Sequence, residues 1–287
     1  MNHKMQSDYR AQAINVSLET DMFEFSLLRK KSNYDRLQMS AALSQGSRKL
    51  CLYGLRQTHA FLAEQDFAQL IAQAFLGENY PHEFIPTGNE MTWIQDSITL
   101  AIQLQTLLTS LEIPHFITGG VAAATYGEPR TTRDLDMVIA LKLSQLDILV
   151  THLEIEGFYI PGVEDIRFGR LQTLSITHHE TIARADLIIA SDSEFDRIQF
   201  DRIRAIQIPE RGILYMASPE DLILSKLRWI NQSEKQWRDI LGILKIQQLT
   251  LNFSYLSKQA TLLGLTTALT QAMAESGLDS EYTLQEF

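Results

Sequence analysis

Asp134 and Asp136 are separated by a single leucine in the stretch ITGGVAAATYGEPRTTRDLDMVIA, residues 117–140. On a β-strand, alternate side chains share a face and lie about 6–7 Å apart along the chain. Both carboxylates then point the same way, while Leu135, Met137 and Ile139 turn to the other side and can anchor the strand in a core. Two like charges about 4 Å apart repel by roughly 1 kcal/mol in water and roughly 4 kcal/mol at an effective dielectric near 20. A divalent cation would turn that repulsion into binding energy.

The spacing alone is weak, because Glu19/Asp21 and Asp192/Glu194 show it too. Context separates the 134/136 pair from these. It opens an apolar strand and follows a glycine pair, a run of small residues and an Arg-Thr loop. Gly119 and Gly120 lie between a strand candidate, HFIT, and a helix candidate, VAAATYG. Glycines there let backbone amides approach a ligand, and a helix N-terminus favours negative charge. These are parts suited to a metal-bound nucleotide, although a tight strand-to-helix turn alone would also demand the glycines.

The whole stretch resembles the signature of the nucleotidyltransferase superfamily, with its DNA polymerase beta-like fold. In that signature a glycine pair is followed by a carboxylate pair on a strand. The form Gly-Glu-Pro-Arg-x-Thr-x-Asp-x-Asp is similar to the branch of abortive-infection and type IV toxin-antitoxin nucleotidyltransferases. The resemblance implies that Asp134 and Asp136 hold Mg²⁺ on a triphosphate and that a third acid on a neighbouring strand completes the metal site. Asp186 is the candidate, because RADLIIA again sets an aspartate at the front of an apolar strand. A second Mg²⁺ would be shared with Asp186.

On that reading, Gly119 and Gly120 position phosphate through backbone contacts, and Arg130 and Thr132 either fix the loop or reach phosphate oxygens. The later segment MASPEDLILSKLRWINQSEKQWRDILGI supplies Lys226 as a phosphate contact, with Arg238 and Asp239 in support. Each has a plainer alternative: a snorkelling lysine for Lys226, a charged helix start for Arg238 and Asp239. The resemblance covers about residues 91–260. Val121-Ala122-Ala123-Ala124 after the glycine pair lacks the Arg-Asp of CCA-adding enzymes, which argues against that activity. The dinucleotide-binding, P-loop and hydrolase-elbow patterns are missing as well.

The elements that must position these residues follow from periodicity. Residues 18–78 read as helices, with a second helix from about Ser47 whose continuity Gly54 weakens. GENYPHEFIPTGNE, 77–90, reads as a linker. A long helix is expected from 91 and stopped by Pro114. Strands are expected at HFIT, DLDMVIA, TLSITHH, IARADLIIA, AIQI and ILYMAS, and a helix at 142–157. Ser218-Pro219-Glu220-Asp221 has the sequence of a capped helix start, after which the chain reads as helical to the end. The expected fold class is α+β: a small mixed-sheet nucleotidyltransferase core at 91–217, an N-terminal helical region at 1–90 of unassigned role, and a C-terminal helical bundle at 218–287 that completes the nucleotide site.

Composition sets the remaining bounds. At 287 residues and 45% hydrophobic content, the chain can build one large core or two smaller ones. No apolar run is long enough to span a bilayer and the start lacks a secretory signal, so no membrane is expected and the cytoplasm is the expected compartment. Cys51 is the sole cysteine, which excludes internal disulfides and cysteine-based zinc sites. A net charge of −10 argues against indiscriminate nucleic-acid coating. Residues 1–60 nonetheless carry nine Lys/Arg against five acids, either a solvated helix face or a contact surface for a polyanion or protein partner.

His178 and His179 cannot both reach one metal from a regular strand, because neighbours point to opposite faces. Trp93, Trp229 and Trp237 are expected to pack in or between helices. The sequence thus leads to an Mg²⁺-dependent enzyme transferring a nucleoside monophosphate from a nucleoside triphosphate to RNA, protein or a small molecule. The alternative is an inactive sensor, antitoxin or scaffold of the same fold.

Overall fold

The computed structural model describes residues 8–230 and 233–278. Lys4 of the basic front end and Asn231 and Gln232 of the later family-like segment lie outside them. In chain order the helices are α1 (Leu18–Leu28), α2 (Asn33–Thr58), α3 (Glu64–Leu76) and α4 (Ser97–Ser110). There follow β1 (His115–Ile117), α5 (Gly119–Tyr126), β2 (Asp134–Ile139), α6 (Leu146–Ile155), β3 (Phe158–Tyr159), α7 (Val163–Arg167), β4 (Thr173–His178) and β5 (Arg184–Ile189). The chain continues through α8 (Glu194–Asp201), β6 (Arg204–Ile208), β7 (Gly212–Met216), α9 (Pro219–Arg228), α10 (Glu234–Gln247), α11 (Phe253–Leu262) and α12 (Thr266–Glu275). The fold class is α+β.

The chain divides into two compact units built from discontinuous segments. Among the described residues, one comprises 39–121 and 130–216 and holds the sheet; the other comprises 8–38, 122–129, 217–230 and 233–278 and is helical. The described part of 1–90 is thus shared between them, and that of 217–287 falls in the helical unit.

In the sheet unit, the seven strands run in the order β3-β4-β5-β2-β1-β7-β6. β2 is the inner strand that matters most: β1 pairs with it antiparallel and β5 pairs with it parallel. Its burial alternates as the sequence requires, with Leu135, Met137 and Ile139 in the core and Asp134 and Asp136 on the other face. Phe67, Ile71, Phe75, Phe84 and Trp93 form a further apolar cluster, against which Cys51 packs partly buried.

α4 begins at Ser97, not at 91, because the Asp96 carboxylate accepts from Thr99 N–H at 2.8 Å and caps it there. It ends at Ser110, before the proline, as Glu112 turns into the left-handed region at φ 53° and Ile113 N–H closes on the Leu108 carbonyl. α2 runs unbroken through Gly54, where a side chain would meet nothing, so the helix bears only the roughly 1 kcal/mol glycine cost.

In the helical unit, Ser218 caps α9 as its sequence requires, accepting from Asp221 N–H at 3.1 Å and donating to its carboxylate at 2.6 Å. α1 packs on α10 through Phe25, Leu28 and Ile246. A buried Lys245–Asp21 ion pair at 2.8 Å lies beside them, with Tyr9 donating to the same carboxylate at 2.6 Å. Trp237 donates to Glu275 at 2.7 Å. Trp229 departs from its expected packing: it follows the end of α9 and is 65% exposed, beside Arg228. Among the described residues, no helix is long and apolar enough to cross a membrane.

Candidate functional site

Parallel pairing places Asp136 opposite Asp186 and Asp134 opposite Arg184. In-register residues on parallel strands share a face, so the three aspartates and Arg184 line one side of the sheet. Arg184 is an internal counter-cation there. Its Nη2 donates to both oxygens of Asp186 at 2.9 and 3.2 Å, and its Nη1 lies 3.6 Å from Asp134. Ser175, opposite Asp186 on β4, donates to that carboxylate at 2.6 Å. Asp186 is therefore braced on two sides.

Asp136 is seated differently. Gly120 N–H donates to its Oδ2 at 3.3 Å, at the start of α5, where the helix end favours a negative group. Gly119 takes φ 59°, and a β-carbon on it would lie 1.9 Å from that oxygen. The glycine pair thus serves first as the seat of a carboxylate.

The loop between α5 and β2 is held from α2. Ser40 donates to the Arg130 carbonyl at 2.6 Å, and Thr132 N–H donates to Ser44 Oγ at 3.1 Å. A β-carbon on Gly120 would meet Thr132 Cγ2 at 3.1 Å and the Arg130 guanidinium at 3.4 Å, so both side chains border the turn. Thr132 Oγ1 is buried without a hydrogen-bond partner. Arg48, also from α2, donates to the carbonyls of Trp93 and Thr181 and lies over the Phe75 ring. Burial pushes its guanidinium down to about 10, opposed by the charge of Asp134.

In the helical unit, Lys226 and Asp239 form a buried ion pair at 2.8 Å. Arg238 grips Glu128 of the GEPR sequence with two donors, at 3.0 and 2.5 Å. The histidine pair serves packing: His178 meets Phe158 edge-on, and His179 stacks on Phe84 with ring centres 5.2 Å apart.

The acids present only hard oxygen donors on one face, the donor set Mg²⁺ takes, and a partnerless hydroxyl lies beside the adjoining turn. The donor chemistry fits that ion. The braces on the carboxylates are what a cation would compete with, and among the described residues no group of three or more His, Cys, Asp or Glu side chains is arranged to hold a metal.

Arg184, Ser175, Arg48 and Glu128 escaped the sequence reading. Only Arg184 left a signal there, two residues before Asp186 and so on its face.

No family model matches the chain, and no curated protein sequence matches it significantly. It is similar to a solved structure described as an antigenic nucleotidyltransferase-like protein from Paracoccidioides brasiliensis, at 19% identity and a TM-score of 0.41, over 66% of this chain and 96% of that one.

Proposed function

We propose that this chain is an Mg²⁺-dependent nucleotidyltransferase of toxin-like type, moving a nucleoside monophosphate from a nucleoside triphosphate to a hydroxyl on RNA, a protein or a small molecule. One observation carries the reading: Asp136 and Asp186 stand in register on parallel strands, with Asp134 on the same face and the glycine turn against Asp136. Asp134, Asp136 and Asp186 would hold Mg²⁺, as one ion or two. Bound there, Mg²⁺ would neutralise the triphosphate and the leaving pyrophosphate.

Asp186 is the proposed acceptor of the proton from the attacking hydroxyl. The acceptor oxygen forms its bond to the α-phosphorus as the bond to pyrophosphate breaks. Ser175 and Arg184 are positioning residues that hold Asp186. Thr132 Oγ1 and the Arg130 guanidinium, both bordering the glycine turn, are the proposed donors to phosphate oxygens. In the helical unit, Lys226 is the proposed phosphate cation and Asp239 its counter-ion, with Arg238 fixing Glu128.

A second reading has its own observation. Arg184 already neutralises Asp134 and Asp186, which suits a non-catalytic sensor, antitoxin or scaffold. Incubating the protein with each α-labelled nucleoside triphosphate and Mg²⁺ in a cell extract, then sizing the product, separates the two. Label transfer that the Asp134→Asn/Asp136→Asn variant loses is the expected result. Nucleotide binding without transfer favours the second reading, and no Mg²⁺-dependent nucleotide binding overturns the enzyme.

A further inference from the structure

The outer face of α2 is apolar and open. Met39, Leu43, Leu50 and Tyr53 are all exposed on it, Leu43 by 49% and Leu50 by 76%. Their offsets along the helix, four, seven and three residues, keep them on one stripe. Ser40, Ser44 and Arg48 turn away from that stripe, to hold the glycine-turn loop and the backbone at Trp93.

The stripe also carries small residues that the single chain does not explain. Gly46 and Gly54 stand inside the helix, where glycine is less favourable than alanine. Neither takes a positive φ. Among the described residues, a β-carbon on either would meet nothing within 4 Å. Packing within one copy therefore gives no reason for these glycines, whereas close approach of another backbone from outside does.

The order of large and small residues reverses onto itself. About the midpoint between Gly46 and Ser47, a twofold axis sets Leu43 opposite Leu50, Met39 opposite Gly54 and Gly46 opposite Ser47. At 3.6 residues per turn, all six positions lie within about 50° of one line along the helix. Each methionine then has room where the facing helix lacks a side chain, two leucine layers flank the centre, and the small central residues let the backbones close. Such self-complementarity is what an isologous twofold contact requires. None of the six positions is charged, so two copies of a chain of net charge −10 meet here through a neutral face.

We propose that α2 is a dimerisation helix: the α2 of a second copy lies antiparallel across the first, with Leu43 on Leu50 and Met39 over Gly54. The paired positions span about 22 Å of helix. This inference is independent of the nucleotidyltransferase reading.

Sedimentation velocity of the full-length protein between about 1 and 100 μM should show a monomer–dimer equilibrium, which Leu43→Lys with Leu50→Lys should weaken by at least about a hundredfold. Both leucines are exposed in the single chain, so far-ultraviolet circular dichroism of that variant should match wild type. Cross-linking tests the register without it. In a Cys51→Ser background, Met39→Cys and Gly54→Cys chains, mixed and oxidised, should form a mixed disulfide dimer. Neither variant should cross-link to itself, because antiparallel packing sets like positions about 22 Å apart. A protein that stays monomeric throughout the range overturns the proposal, as does a dimer that the two lysines leave intact. Failure of the mixed pair to cross-link, or cross-linking of Met39→Cys chains to one another, overturns the antiparallel arrangement.

Discussion

A β-carbon on Gly119 would have to occupy nearly the position of Oδ2 of Asp136, 1.9 Å away. The requirement for glycine therefore comes from the carboxylate as well as from φ 59°. Gly119→Ala is expected to cost about 2–4 kcal/mol, the sum of left-handed strain and overpacking. Gly120→Ala comes no nearer than 3.1 Å, to Thr132 Cγ2, and should cost less. Denaturant unfolding of the two variants compares them directly, and an alanine at 119 that leaves the midpoint unchanged would contradict this seating of Asp136.

Arg184 is 12% exposed and shared between Asp134 and Asp186. Replacing it with methionine removes the cation that the two carboxylates share, at a cost of about 2–3 kcal/mol in metal-free buffer. The same change removes the competitor for a divalent ion. Arg184→Met should thus melt lower than wild type in chelator and recover part of the difference when Mg²⁺ is added, with tighter Mg²⁺ binding by calorimetry. A variant that neither loses stability nor gains Mg²⁺ affinity would show that the arginine is no brace.

Lys226 and Asp239 test the contribution of a buried ion pair. Lys226→Met removes the lysine partner of the buried Asp239 carboxylate and should cost about 2–4 kcal/mol, whereas Lys226→Met with Asp239→Leu should recover part of it. Chemical denaturation of the single and double variants measures the coupling. Nucleotide affinity of the double variant then reports separately on the proposed phosphate contact.

Two histidines set an acid limit on stability. Burial lowers the pKa of His115, against the opposing bond to Ile113. Burial also lowers that of His178, whose Nδ1 accepts from Glu180 N–H at 3.2 Å. Each binds fewer protons folded than unfolded, so its stabilisation is complete above the unfolded value near 6.5 and is lost as pH falls through the folded one. The slope is at most about 1.4 kcal/mol per pH unit for each histidine. Unfolding free energies between pH 8 and 5 should be flat at the upper end and decline below 6.5, and NMR titration should place both imidazoles below the ordinary range.

Much of the fold was legible because it rests on local chemistry. The apolar alternation of DLDMVIA, the Ser218 cap and the small-residue helix after the glycine pair each follow from neighbours in sequence. β3 and α8 were missed. β3 has only two residues and owes its pairing to His178 and Thr177 on β4. α8 has eight, with a Ser193 cap and only Phe195 and Gln199 buried, too few for a period to emerge. The exposed Trp229 shows the converse: residue type favours burial, and position at a helix end decided otherwise.

The sequence by itself determined which acids share a strand face, since alternation of side chains is a property of any β-strand. It also determined that a glycine pair precedes them. Only the tertiary structure decided that Asp136 faces Asp186, that Arg184 and Ser175 hold the latter, and that Gly119 must be glycine to admit a carboxylate seventeen residues on. Strand order and register are set by which apolar faces bury together across distant segments, and no local pattern carries that information.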